Sequence, residues 1–312
     1  MRLFAPSRRN LLRSTASFVI ATVGFAGCAT FTNSSAAATI EGKEISRDRL
    51  ESYIDEFAEA QQFPLVDGVV QVDDARNLLA GIIKANLYGQ FLADYGKPLT
   101  KAQRDAALQT IGKDRIAEFS AGLQNLIVDL NASTGAIQAL DAPGPDALEK
   151  LYNKRPSLTG AMCARHIVVK KKATAQKLLS MLSKGAKFAD LAKKYSIEPA
   201  AKTSGGALTG QSADGTPSPC MSILEYQQSF DPAFTRGALA ARAGIPYGPV
   251  QTSFGWHVIL LAPWDEVKDA ALDVVGSDPG PNLATGWLAN ADITVDPAYG
   301  RWDSATGTIA AN

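Results

Sequence analysis

The sequence predicts an α+β fold, a small antiparallel sheet with surrounding helices joined to a mostly helical portion. Three observations predict it. Two apolar, β-branched runs, CARHIVVK at 163–170 and FGWHVILLA at 254–262, read as strands because strand residues alternate faces. Between them, apolar residues recur at helical spacing. From residue 39 to 155, helical periodicity dominates after a single strand.

In chain order, residues 1–27 read as a leader. Ser7-Arg8-Arg9-Asn10-Leu11-Leu12-Arg13 is a close fit to a twin-arginine export signal. The weakly apolar stretch from Ser14 to Gly27 is too short to span a bilayer as a stable helix. Phe25-Ala26-Gly27-Cys28 resembles a bacterial lipobox, with Phe where Leu is usual, so lipid attachment at Cys28 is expected. The rival is a plain secreted or soluble periplasmic protein cleaved nearby. Residues 28–38, small and polar, read as a tether.

Residues 39–155 read as a helical domain. Thr39 to Ser46 gives a strand, a turn at Gly42 and an N-cap at Ser46, followed by a helix through Leu50, Tyr53, Ile54 and Phe57. A long helix runs from Asp73 to Tyr95 and is closed by Gly96 and Pro98. Thr100 and Gln103 form a capping-box start. Further helices are expected from about Lys113 to Leu130 and around Leu148, Leu151 and Tyr152.

Residues 160–264 form the sheet-bearing module. After the first strand, Ala173 to Ser183 is a helix that Gly185 terminates. Phe188, Leu191, Ala192 and Tyr195 mark a second helix, which Ser196-Ile197-Glu198-Pro199 breaks. Ala207-Leu208 is a short strand candidate, and Phe230 to Leu239 a third helix with Phe230 and Phe234 one turn apart. Gly248 to Thr252 and the run after Phe254-Gly255 are the last strands. The chain has two histidines, His166 and His257, one in each outer run. They are open to two readings, one shared site or two satisfied core residues.

Beyond Ala262 the chain reads as looser, with a breaker cluster at Gly276-Ser277-Asp278-Pro279-Gly280-Pro281. Ile293 and Val295 are placed to pair with Thr39 to Glu41, so that segment 265–312 packs back on the helical domain. The alternative for the final ten residues is a disordered tail.

Composition is that of a water-soluble mature protein: 46% hydrophobic, 20% charged, formal net charge zero. No basic face for nucleic acid is implied.

Taken in order, ARHIVVK, KGAKFADLAKKYSIEP, SGGALTG, FDPAFTRGAL and GPVQTSFGWHVI resemble the parvulin-type peptidyl-prolyl cis/trans isomerases across residues 160–264. The resemblance implies that His166 and His257 are the paired histidines under the active-site floor and that Thr252 stands beside them. It implies a proline pocket of Leu208, Phe230 and Phe234, where Met is frequent at the Phe230 position. Glu198 takes the place of an Asp or Cys and is one methylene longer than Asp. Residues Thr209 to Ser229 are an insertion over a shorter family loop. No cofactor is implied, since a prolyl amide turns over a barrier of roughly 18–20 kcal/mol without any bond being broken. An apolar slot and polar groups matched to the twisted amide suffice. The order of strand, helices and module resembles SurA-like and PrsA-like extracytoplasmic foldases. That implies a membrane-anchored exported protein acting on unfolded or nascent exported clients with X-Pro bonds. A holding chaperone with an inactive module is the alternative. A metal protein is a third reading, since Cys163-x-x-His166 with Cys220 and His257 offers four ligands, at a spacing that matches no common zinc module.

Cysteine bookkeeping closes the reading. With Cys28 lipidated, Cys163 and Cys220 remain, and an exported protein favours a disulfide between them. Two free buried thiols are the counter-reading, because a twin-arginine substrate folds in the reducing cytoplasm before export.

Overall fold

The computed structural model describes residues 35–212 and 214–312. The twin-arginine and lipobox expectations at Arg8, Arg9 and Cys28 lie outside the described residues.

Strands β1 (Ala36–Ile40) and β2 (Lys43–Ser46) make a hairpin about Glu41-Gly42, where both residues have positive φ, 48° and 75°. Ala36, Ala37 and Ala38, expected in the tether, are the buried first half of β1. Ser46 then caps α1 (Arg47–Glu59), its Oγ accepting the Arg49 N–H at 3.3 Å. Leu50, Tyr53 and Ile54 are the buried face of α1. A second hairpin, β3 (Leu65–Val66) and β4 (Val69–Val70), turns at Asp67-Gly68. The helical reading passed over this two-residue Asp-Gly signal.

Helix α2 (Val72–Asp94) and α3 (Lys101–Ile111) follow, with the Thr100–Gln103 capping box in place. The helix expected from Lys113 to Leu130 is instead a 3₁₀ turn, Lys113–Ile116, and α4 (Ala121–Gln138). Ser120 sets the true start, because its Oγ accepts the Leu123 N–H at 3.3 Å. Helix α5 (Pro145–Lys154) begins with Pro in its first turn.

The module opens with β5 (Ala161–Met162) and β6 (Ala164–Val169), then α6 (Lys172–Ser183), α7 (Phe188–Tyr195) and α8 (Ala201–Ser204). Ala207-Leu208 is not a full strand. It bridges Arg165 at Ala207, and the Leu208 N–H donates to the Ala164 carbonyl at 3.0 Å. The insertion is ordered into β7 (Gly210–Gln211), β8 (Pro217–Ser218), β9 (Met221–Ser222) and α9 (Ile223–Ser229). Its Cys220, Met221, Ile223 and Tyr226 are buried, so it supplies core of its own. The helix expected over 230–239 is α10 (Pro232–Ala240), with Asp231 as its N-cap and Phe230 just outside.

Strands β10 (Tyr247–Thr252) and β11 (Gly255–Leu261) complete a three-stranded antiparallel sheet of order β10-β11-β6. Alternation splits its residues between two cores. Ile167, Val169, Val258 and Leu260 pack with Phe188 and Leu191 of α7, while Ala164, Ile259 and Leu261 pack with Phe234 and Ala238 of α10.

The breaker cluster after residue 275 is a helix junction. Helix α11 (Trp264–Ser277) passes into α12 (Pro279–Ala289) with Pro279 in the first turn. Gly280 is a packing residue: a Cβ there would strike the Ile137 carbonyl of α4. Strand β12 (Ile293–Val295) pairs antiparallel with β1, Ile40 opposite Ile293 and Ala38 opposite Val295. The last residues form a hairpin, β13 (Arg301–Asp303) and β14 (Thr308–Ala310), rather than a loose tail. Among the described residues no helix is long and apolar enough to cross a membrane.

Candidate active site

Strand register brings the two histidines together. His257 lies opposite Val168 and Ile259 opposite His166, so the histidines are diagonal neighbours on adjacent strands. Residues two apart share a face, and this face is the one toward α10. The rings face each other with Nδ1 of His166 and Nδ1 of His257 3.2 Å apart. Two ring nitrogens in such contact share one proton, so one ring donates and the other accepts.

The contact is the middle of a longer chain. Nε2 of His166 meets Oε2 of Glu198 at 2.6 Å, and Nε2 of His257 meets Oγ1 of Thr252 at 2.8 Å. The Phe254 N–H donates to that same Oγ1 at 3.1 Å. With both rings neutral the chain has a consistent direction. Thr252 O–H donates to His257, His257 Nδ1–H to His166, and His166 Nε2–H to the Glu198 carboxylate. Burial pushes the His257 pKa down to about 4, His166 adds to the lowering, and Asp231 opposes it. At neutral pH, then, His257 is an uncharged relay and not a cation. Glu198, one methylene longer than an Asp, has the reach to close the chain.

Above the histidines lies a cavity of about 440 Å³ lined by Leu208, Phe230, Phe234 and the polar chain. The Phe234 ring stands edge-on to both imidazoles, with centroids 5.4 Å from His166 and 5.2 Å from His257. Phe230, though off the helix, stacks against Phe234 at 5.5 Å. The structure thus gathers His166, Glu198, Thr252, His257, Leu208, Phe230 and Phe234 in one place. Sequence reasoning passed over Ile197, Asp231 and Phe254, which also line the cavity. Asp231 carried a signal, since Asp before Pro232 is an N-cap pattern. Phe254, 73% exposed, had none beyond its place in a turn.

Cys163 and Cys220 do not sit in the cavity. They are joined by a disulfide across a sequence separation of 57, beside the pairing of β5 with β9. The four-ligand metal set is therefore not assembled, because its two sulfurs are bonded to each other. Among the described residues no group of three or more His, Cys, Asp or Glu is placed to hold a metal ion.

Residues 148–262 match the PPIC-type PPIase domain. The foldase protein PrsA of Caldanaerobacter subterraneus is 34% identical over 128 residues, 39% of this chain and 37% of that protein. PrsA of Clostridium botulinum is 26% identical over 246 residues, 76% of this chain and 67% of that protein. The chain spans little more than a third of the length of the first of these relatives. Among solved structures, PrsA from Bacillus subtilis overlays with a TM-score of 0.28 at 22% identity, covering 81% of this chain and 91% of that one. The parvulin NmPin of Nitrosopumilus maritimus gives 0.27 at 22% identity, covering 33% of this chain and 96% of that one. The matched segment contains the whole histidine chain and the apolar slot above it: residues 148–262 are a PPIC-type PPIase domain of the parvulin kind.

Proposed function

We propose that this protein is a peptidyl-prolyl cis/trans isomerase that assists the folding of exported proteins. The observation that supports it most is the cavity, an aromatic slot standing directly on a buried, hydrogen-bonded His–His–Thr chain. A proline ring seated among Leu208, Phe230 and Phe234 leaves water behind, which weakens amide resonance stabilised by solvent and favours the twisted form. The twisted amide nitrogen becomes pyramidal, and the hydrogen-bonded chain, whose donors are spent on one another, holds the cavity floor fixed beneath it before the substrate arrives. His166, Glu198, Thr252 and His257 have the role of that floor. No nucleophile is required.

In this reading residues 160–264 are the catalytic module, while residues 39–155 and 265–312 form the client-holding portion. The partners are unfolded or nascent exported chains with X-Pro bonds. The matched relatives carry the name foldase, which supports this choice of client. The decisive test is isomerisation of a proline-containing peptide by the whole protein and by His166→Ala. A rate above the spontaneous one that falls in the variant supports the reading. A spontaneous rate in both leaves a holding chaperone.

We also propose export by the twin-arginine route, with residues 1–27 as signal and a lipid on Cys28 tethering the protein outside the cytoplasm. Replacing Arg8 and Arg9 by Lys strands precursor inside the cell, and Cys28→Ala releases mature protein from membranes. A precursor indifferent to both changes overturns the proposal.

A further inference from the structure

We propose that Asp231 determines substrate specificity. With Glu198 it makes the mouth of the prolyl cavity electronegative, so that segments with Lys or Arg next to the proline turn over faster than those with Glu or phosphoserine there. The proposal rests on the cavity being the prolyl site.

Three observations carry it. First, the charged residues that line the cavity are both carboxylates, Glu198 and Asp231, with no Lys or Arg among the lining residues. Second, each carboxylate has one oxygen tied down and one left over. Asp231 Oδ1 accepts the Ala233 N–H at 2.8 Å as the N-cap of α10, and Glu198 Oε2 takes His166. Neither Oδ2 of Asp231 nor Oε1 of Glu198 has a hydrogen-bond partner among the described residues. The cap fixes the Asp231 side chain, so its free oxygen is a stationary charge beside the slot rather than a swinging one. Its field already reaches His257. Third, the lysine run Lys170-Lys171-Lys172 follows β6, with Lys172 opening α6, and does not line the cavity. Lys172 is drawn over the Trp256 ring at 5.2 Å.

A charge on the residue beside the proline therefore meets two fixed negative charges a few ångströms away. In a half-solvated mouth each such encounter changes binding by a modest factor. Reversing the substrate charge from Lys to Glu counts the effect twice, which gives roughly a three- to tenfold ratio of kcat/KM. The ratio decays with salt, as exposed charge pairs are screened.

The test uses the whole protein and two peptide sets sharing one frame. One set varies the residue before proline among Lys, Leu, Glu and phosphoserine, and the other varies the residue after it. The expected result is a Lys-to-Glu ratio of about threefold or more in at least one set, falling toward one at high salt. Asp231→Asn and Asp231→Ser both keep a capping oxygen and remove the charge, so both lower the ratio. A ratio of one or below in both sets, or a ratio that neither variant lowers, overturns the proposal. If every peptide isomerises at its spontaneous rate, the isomerase reading fails and takes this one with it, an outcome distinct from an active enzyme without charge preference.

Discussion

The histidine-floored cavity and the groove on the helical portion are both concave, but they are built differently. In the cavity, polar groups from β6, β10, β11 and the loop after α7 converge on one chain. The groove, about 830 Å³ between α2, α3 and α4, is lined by small residues such as Ala132, Gly135 and Ala136 with polar side chains scattered among them. Three of its polar side chains turn back on their own helices: Thr110 donates to the Ala106 carbonyl, Asn131 to Ile127 and Thr134 to Leu130, and Lys84, Tyr88, Gln103 and Gln138 line it as well. Convergence, more than volume, separates the two: the cavity's polar groups bond to one another in a single chain, whereas those of the groove stand singly along their helices.

The largest expected effect comes from Phe234→Ala, which empties the slot without touching the groove. Removing a buried Phe costs about 3–5 kcal/mol of module stability, and kcat/KM for prolyl peptides falls by about a hundredfold. If the helical portion holds clients as proposed, its suppression of client aggregation stays intact. Loss of both activities together would break the comparison.

Next is the disulfide. Replacing both Cys163 and Cys220 by Ser frees a loop whose closure is worth about 4 kcal/mol in the chain-entropy account. Denaturant unfolding of the double variant, followed by hydrogen exchange, is expected to show the loss in β5, β9 and α9 before it reaches α2 and α4. Uniform loss would mean that the two regions unfold as one.

Acid sharpens the contrast further. His257 is held near 4 in the folded protein against an ordinary value near 6.5, so the unfolded chain binds more protons between those values. Its contribution is fully present above about pH 6.5 and is lost as the pH falls toward 4, roughly 3 kcal/mol in all. Urea melts at pH 7 and pH 4.5, compared with His257→Leu, check the slope. A variant with the same slope as the parent would remove His257 as the cause.

The smallest effect is at the seam. Arg236 of α10 pairs with Asp303 of β13 at 2.6 Å, with Asp303 only 4% exposed. Because Arg236 is partly open to solvent, Arg236→Ala costs about 1–2 kcal/mol and not the full penalty of a buried pair. A double-mutant cycle with Asp303→Asn measures it.

The sequence was most readable where one local rule governed. Ser46 as a cap, the Thr100–Gln103 box and the α7 periodicity each depend on residues within one turn, and each is in the structure. The His166–His257 contact was foreshadowed by alternation, but its geometry depends on register across β6 and β11, which spacing alone does not set. The misses share a cause. Pro279 and Gly280 read as breakers because the sequence does not display the α4 backbone that makes a glycine necessary at that crossing. Phe230 was placed in a helix because apolar spacing outvoted the Asp231-Pro232 start. Asp231 has no place among the expected site residues for the same reason: a helix drawn from Phe230 hides the cap, and no local rule sets Asp231 beside the cavity.

The antiparallel pairing of β1 with β12 also has a consequence for how the chain is made. On the ribosome, β1 and β2 emerge first, and the outer edge of β1 is left with unpaired N–H and C=O groups until Ile293–Val295 arrives. Every strand of the β10-β11-β6 sheet has been synthesised well before then. The isomerase module is therefore complete while the N-terminal hairpin still waits with an open edge. A nascent or clipped chain lacking its last twenty or so residues would carry a finished histidine-floored cavity beside a ready template for strand addition, and so would be prone to associate through that edge.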